Sequence, residues 1–157
     1  MKSNPHCEQL QKTFDCCEEC FEISTAASEN KKRFSIETKN RFNYCRIKVD
    51  ACLISDDTHI KCDYAFLKCD SWHFMFVELK GTDIEHAFKQ ICETIEYFKS
   101  YDVKMTRNKI FGFIVSSSVP NAANQKFMKL KKKFKKLYGG LLVRGTNQIK
   151  INDSFFN

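Results

Sequence analysis

Two short segments in the middle of the chain restrict its fold more than anything else in it. Lys61-Cys62-Asp63-Tyr64-Ala65-Phe66-Leu67 and Phe74-Met75-Phe76-Val77-Glu78-Leu79-Lys80-Gly81 are rich in aromatic and β-branched residues, and Cys69-Asp70-Ser71 between them is turn-forming. The pattern predicts two strands joined tightly enough to lie antiparallel. Alternate residues of a strand share a face, so Glu78 and Lys80 emerge side by side. Asp63 comes from the neighbouring strand, which brings two carboxylates and an ammonium to one end of a small sheet. Neighbouring carboxylates repel unless a proton or cation lies between them. A hard divalent cation with oxygen ligands meets that need.

Asp63 followed by Glu78-Leu79-Lys80 resembles the active-site signature of the PD-(D/E)XK, or restriction-endonuclease-like, nuclease superfamily. The family carries its aspartate on the second core strand and E-x-K on the third, with a helix next. The resemblance covers the middle two thirds of the chain, from the strand near Arg46 to the strand near Val115. It departs from the pattern in one place, where Cys62 stands instead of proline before the aspartate. The E-x-K triplet carries little information alone; its strand context gives it weight.

The 157 residues suit one domain with a substantial core. A hydrophobic content of 43% excludes a disordered chain, and 15 phenylalanines predict an aromatic core. The net charge of +7 favours a polyanionic partner. No apolar run approaches the roughly 20 residues of a membrane span, and the start Met1-Lys2-Ser3-Asn4-Pro5 has no hydrophobic signal core. A cytoplasmic protein without membrane contact is therefore expected. In that compartment the nine cysteines should be reduced thiols. Cys16-Cys17-x-x-Cys20 with His6 and Cys7 is the one arrangement with a zinc-like look, but it lacks paired knuckles.

Leu10, Phe14, Cys17 and Phe21 recur at helical spacing and predict a first helix from Cys7 to Ile23. Superfamily members often add an acid from this helix to the metal site, which makes Glu18, Glu19 and Glu22 candidates beside the reading as a solvated face. Ser24 to Lys32 reads as a loop and Arg33–Glu37 as a short strand. Arg46–Ile54 reads as a clearer strand with Ile47, Val49, Ala51 and Leu53 on one face, turning at Ser55–Thr58. Asp50 is either a further site carboxylate or the partner of a strand lysine.

Beyond Gly81, Thr82-Asp83-Ile84-Glu85 reads as a capping box that opens a helix to Tyr101. Ile84, Phe88, Ile91, Ile95 and Phe98 form its apolar stripe, and Gln90 lies on a flank. RecB-like branches of the superfamily extend the motif with a glutamine here and a tyrosine four residues on. This chain has Thr94 at that later position, so Gln90 is either an auxiliary site residue or a surface glutamine. Ile110–Val115 reads as a buried strand, and Ser116-Ser117-Ser118 as a polar loop able to bond phosphate. A second helix, Asn121 to Tyr138, has Phe127, Leu130, Phe134 and Leu137 as its stripe. Around it stand Lys126, Lys129, Lys131, Lys132, Lys133, Lys135 and Lys136, whose field attracts a phosphate backbone. Leu141–Arg144 is expected as a strand, with Gln148–Asn152 pairing at the edge.

The predicted order is α/β with a central mixed sheet flanked by helices on its faces, which fits the restriction-endonuclease-like αβββαβ core. One domain spans 1–157: an N-terminal helix and loop over 1–32, a catalytic core over 33–118, and a basic helix with terminal strands over 119–157. The resemblance implies a Mg²⁺- or Mn²⁺-dependent nuclease acting on nucleic acid, DNA first. Asp63, Glu78 and the Leu79 carbonyl would hold the metal, Lys80 and Gln90 would assist, and Lys126, Lys129, Lys132, Lys133 and Lys136 would contact the backbone. Size and charge are similar to those of archaeal Holliday-junction resolvases, which are dimers, so a homodimer is a further expectation. The alternative is a catalytically silent member that binds nucleic acid or protein.

Overall fold

The computed structural model describes residues 12, 17–21, 24–41, 44–54, 60–79, 83–101, 103–117 and 123–156, with side chains for all but 17–21 and 123. In chain order the elements are β1 (Cys17–Phe21), β2 (Ser24–Glu29), β3 (Lys32–Glu37), β4 (Tyr44–Lys48), β5 (Tyr64–Lys68), β6 (His73–Glu78), α1 (Ile84–Ser100), β7 (Ile110–Ser116), α2 (Ala123–Tyr138), β8 (Leu142–Thr146) and β9 (Gln148–Ile151), then a 3-10 turn over Asp153–Phe156. Two mixed sheets result. The larger has the order β1-β4-β5-β6-β7-β8 and the smaller β2-β3-β9. In the larger sheet, β4, β5 and β6 are antiparallel neighbours, while β6, β7 and β8 run parallel.

Strand alternation decides which residues face which layer. Ala65, Leu67, Phe74, Phe76 and Ile114 meet Ile84, Phe88, Ile91, Ile95, Phe98 and Phe134 of the two helices. From the opposite face, Phe66, Met75, Val77, Phe113 and Val115 meet Phe34, Ile36, Ile149 and Ile151 of the small sheet. The larger sheet is thus covered by α1 and α2 on one side and by three strands on the other. Gly112 of β7 lets the helices approach: a Cβ there would lie 2.9 Å from Leu142 Cδ1 and 3.3 Å from both Ile91 Cγ2 and Phe134 Cε2. Tyr44 Oη donates to Asp153 Oδ1 at 3.2 Å and ties the C-terminal turn to β4. Burial, then the Asp153 charge, pushes the Tyr44 hydroxyl up from its ordinary range.

The mixed α/β class agrees with expectation, as do β3, the turn between β5 and β6, the apolar stripe of α1, and buried β7. Several local readings are corrected. The helix expected to reach Ile23 gives way to β1, antiparallel to β4 with a register shift between Cys17 and Glu19. Ser24–Lys32 is not a loop. Its first six residues form β2, pairing with β3 from Ser24↔Glu37 to Glu29↔Lys32.

The strand expected over Arg46–Ile54 stops at Lys48, because Ala51 takes a positive φ of 64° and Ile54 N–H turns back to Val49 O at 2.9 Å. Ala51 is consequently exposed and Leu53 only half-buried. The turn expected at Ser55–Thr58 lies outside the described residues. Asp83, not Thr82, caps α1, accepting from His86 N at 3.1 Å. In α2, Leu137 is 49% exposed and Tyr138 is buried in its place. β9 pairs parallel with β3 in the second sheet, and both described helices share one face. The cysteines do not all carry thiols: Cys52 and Cys69 are disulfide-bonded, whereas Cys45, Cys62 and Cys92 are thiols.

Candidate active site

Asp63 lies just ahead of β5, and Glu78 ends β6. The last register pair between these strands is Tyr64↔Val77, and Asp63 and Glu78 are the next residues beyond it on either chain segment. Four hydrogen bonds fix Asp63. Its N–H donates to Val77 O at 3.1 Å, and its carbonyl accepts from Val49 N at 3.0 Å and Asp50 N at 3.3 Å. Its Oδ2 accepts from Leu79 N at 2.7 Å. The aspartate therefore joins the ends of three strands. Asp63 is 5% exposed and Glu78 2%. Both act on the thiol of Cys62, which is pushed up first by burial and then by the negative charges of Glu78 and Asp63. Both carboxylates are thus buried where the neighbouring strands β5 and β6 end.

Helix α1 holds the segment before Asp63 in place. Cys62 N–H donates to Thr94 Oγ1 at 2.9 Å, and Thr94 Oγ1 in turn donates to Gln90 O at 2.8 Å. Gln90 Nε2 donates to Lys61 O at 3.1 Å. The structure thus turns the amide of Gln90 onto the main chain leading into the site. Thr94, which nothing in its sequence neighbourhood singles out, is fully buried and is the acceptor for Cys62.

A cleft of about 270 Å³ opens beside Asp63, lined by Ser28, Glu29, Lys48, Asp50, Ala51, Asp63 and Tyr64. Asp50 is drawn to Lys61 at 3.8 Å, which is the strand-lysine pairing left open by the sequence. On the other side of Glu78, the parallel register Glu78↔Ile114 sets Ser116 two residues further along β7 and on the same face. Its hydroxyl is buried and has no hydrogen-bond partner among the described residues.

Both helices begin at this end of the sheet, beyond the carboxyl ends of β6 and β7. Lys126, near the start of α2, is 3.7 Å from Glu85, and Lys133 lies over the Phe88 ring at 5.7 Å. Lys129, Lys132 and Lys136 are exposed. From Lys126 to Lys136 the helix advances about 15 Å, so its lysines run away from the carboxylates. Lys80 and Glu22 lie outside the described residues, as do His6, Cys7 and Cys16 of the zinc-like run. Glu18, Glu19, Cys17 and Cys20 belong to β1, whose side chains are likewise outside them.

Among the described residues no group of three or more His, Cys, Asp or Glu side chains could hold a metal ion. At the adjoining ends of β5 and β6 the chain offers two carboxylates, Asp63 and Glu78, with the main-chain carbonyl of Leu79 next in sequence. That donor set suits Mg²⁺, which is bound through one or two carboxylates while substrate and water complete its shell. Compared with protein-family models, curated proteins and solved structures, the chain matches none. No described helix is long and apolar enough to cross a membrane.

Proposed function

We propose that the chain is a metal-dependent phosphodiesterase, a nuclease of the PD-(D/E)XK kind acting on DNA. One observation carries the reading. Two buried carboxylates, Asp63 just ahead of β5 and Glu78 at the end of β6, stand at the adjoining ends of an antiparallel strand pair. The run β4-β5-β6-α1-β7, neighbours in that order in the sheet, supports the resemblance through its strand directions.

In this reading Asp63, Glu78 and the Leu79 carbonyl would hold Mg²⁺ or Mn²⁺. Such an ion lowers the pKa of a bound water and offsets phosphate charge during in-line displacement. Lys80, two positions beyond Glu78 in the sequence, would orient the attacking water and stabilise charge building on the phosphoryl oxygens. Gln90 and Thr94 keep the Lys61–Cys62 main chain, and through it Asp63, at a fixed distance from Glu78. The exposed lysines of α2 contact the backbone farther out. Lys126 is available for this, because an exposed ion pair such as the one with Glu85 is worth only about 0–1 kcal/mol.

The bond from Leu79 N–H to Asp63 favours one second reading, in which Asp63 is a structural clamp and the domain binds nucleic acid without cutting it. Asp63→Asn separates the two, because the amide oxygen still accepts the Leu79 N–H while the negative charge is gone. Wild-type protein is expected to cleave labelled DNA with Mg²⁺ or Mn²⁺ and not in EDTA. Asp63→Asn, Glu78→Gln and Lys80→Ala are expected to be folded and inactive. Cleavage retained by any of the three overturns the assignment, and binding without cleavage by wild type favours the clamp.

A further inference from the structure

The cleft beside Asp63 is hostile to a phosphate chain. Three of its lining residues, Glu29, Asp50 and Asp63, are carboxylates. A polyanion approaches such a wall only if cations stand at its rim. Lys48 lines the cleft from the end of β4, and Lys31 follows the lining residue Glu29 by two positions in the β2–β3 turn. Both are exposed, and among the described residues neither ammonium is ion-paired. Lys61, by contrast, is drawn to Asp50.

The turn carries a second observation. Glu29 and Lys32 are paired, so Asn30 and Lys31 form a two-residue loop, with φ values of 49° and 63°. Glycine and asparagine are the usual residues for this left-handed conformation, and lysine is a poor one. The chain keeps a cation at a position its backbone geometry disfavours, at the shoulder of the cleft that holds Asp63. Lys32 and Arg33 follow at once and add charge to the same tip.

We propose that the β2–β3 turn and Lys48 form a seat for a nucleic-acid backbone beside the Asp63 cleft. The lysines of α2 lead away from the carboxylates, so this seat, not the basic helix, holds the strand closest to them. The inference rests on the nuclease reading only for the identity of the polyanion.

Binding of a labelled DNA duplex in EDTA, titrated with salt, tests the seat without any cleavage. Lys31→Glu with Lys48→Glu is expected to make the log–log salt dependence shallower by about 1.8, roughly 0.9 for each phosphate no longer neutralised. Lys31→Gly relieves the left-handed lysine, so it is expected to melt no lower than wild type while its slope falls by about 0.9. An unchanged slope in the double variant overturns the seat, as does an absence of salt-dependent binding by wild type. A slope that falls as expected in a protein that never cleaves leaves the seat standing and removes the nuclease reading.

Discussion

Thr94 shows how much one hydroxyl can hold. It accepts from Cys62 N–H and donates to Gln90 O, all within the buried junction of α1 and the Asp63 segment. Replacing it with valine keeps the shape and strands the Cys62 N–H. A buried donor without a partner costs about 1–3 kcal/mol, so Thr94→Val is expected to lower stability by that amount in urea unfolding. Ser116 is the opposite case. Its hydroxyl already lacks a partner among the described residues, so Ser116→Ala is expected to be neutral or stabilising by about 1 kcal/mol in the same experiment. His73 adds a pH dependence. Burial first, then Lys109 and Lys68, pushes its pKa down from 6.5 to about 4. The unfolded chain takes the proton more readily, so stability is full above pH 6.5 and is lost as pH falls towards 4. The urea midpoint should decline across that window, and His73→Gln should flatten the decline. At this scale the placement of Asp63 and Glu78 at adjoining ends of β5 and β6 was legible in the sequence, because a tight turn between two strands makes them antiparallel neighbours. Thr94 was not, since nothing in one sequence tells which threonine a distant N–H will find.

Among the elements, β5, β6, α1 and β7 were legible because each has one clean period: alternation or continuous burial in the strands, and a stripe at helical spacing in α1. β2 was hidden because Ser24-Thr25-Ala26-Ala27-Ser28-Glu29 is built of small residues that bury little surface, and its strand character comes from pairing with β3. β1 was misread because its strand character comes from pairing with β4, and an irregular register between Cys17 and Glu19 breaks the alternation that would have announced it. The meeting of the two helices over β7 yields an expectation at this scale. An added methyl at Gly112 must push against Leu142, Ile91 and Phe134 together. Overpacking of this kind costs about 1–3 kcal/mol, so Gly112→Ala should lower the melting temperature while leaving far-UV circular dichroism unchanged.

For the molecule as a whole, a metal at Asp63 and Glu78 would be linked to folding, since a ligand bound only by the native state stabilises it. At ten times its dissociation constant, Mn²⁺ is expected to add about 1.4 kcal/mol. For a domain of this size that is a rise of roughly 3–6 °C in melting temperature. Asp63→Asn should abolish the rise, and a rise that persists in the variant would place the ion elsewhere. The three layers themselves could not be foreseen, because the small sheet joins segments from opposite ends of the chain and leaves no local mark of that union.

That union has a temporal side. Strand β3 bonds to β9 from Arg33↔Gln148 to Ile36↔Ile151, yet the ribosome makes β9 only after every other strand. Until then the β2–β3 hairpin has an open edge, the kind of surface on which nascent chains stick to one another. The hairpin that lends Ser28 and Glu29 to the Asp63 cleft therefore gains its β9 neighbour later than its other strand contacts.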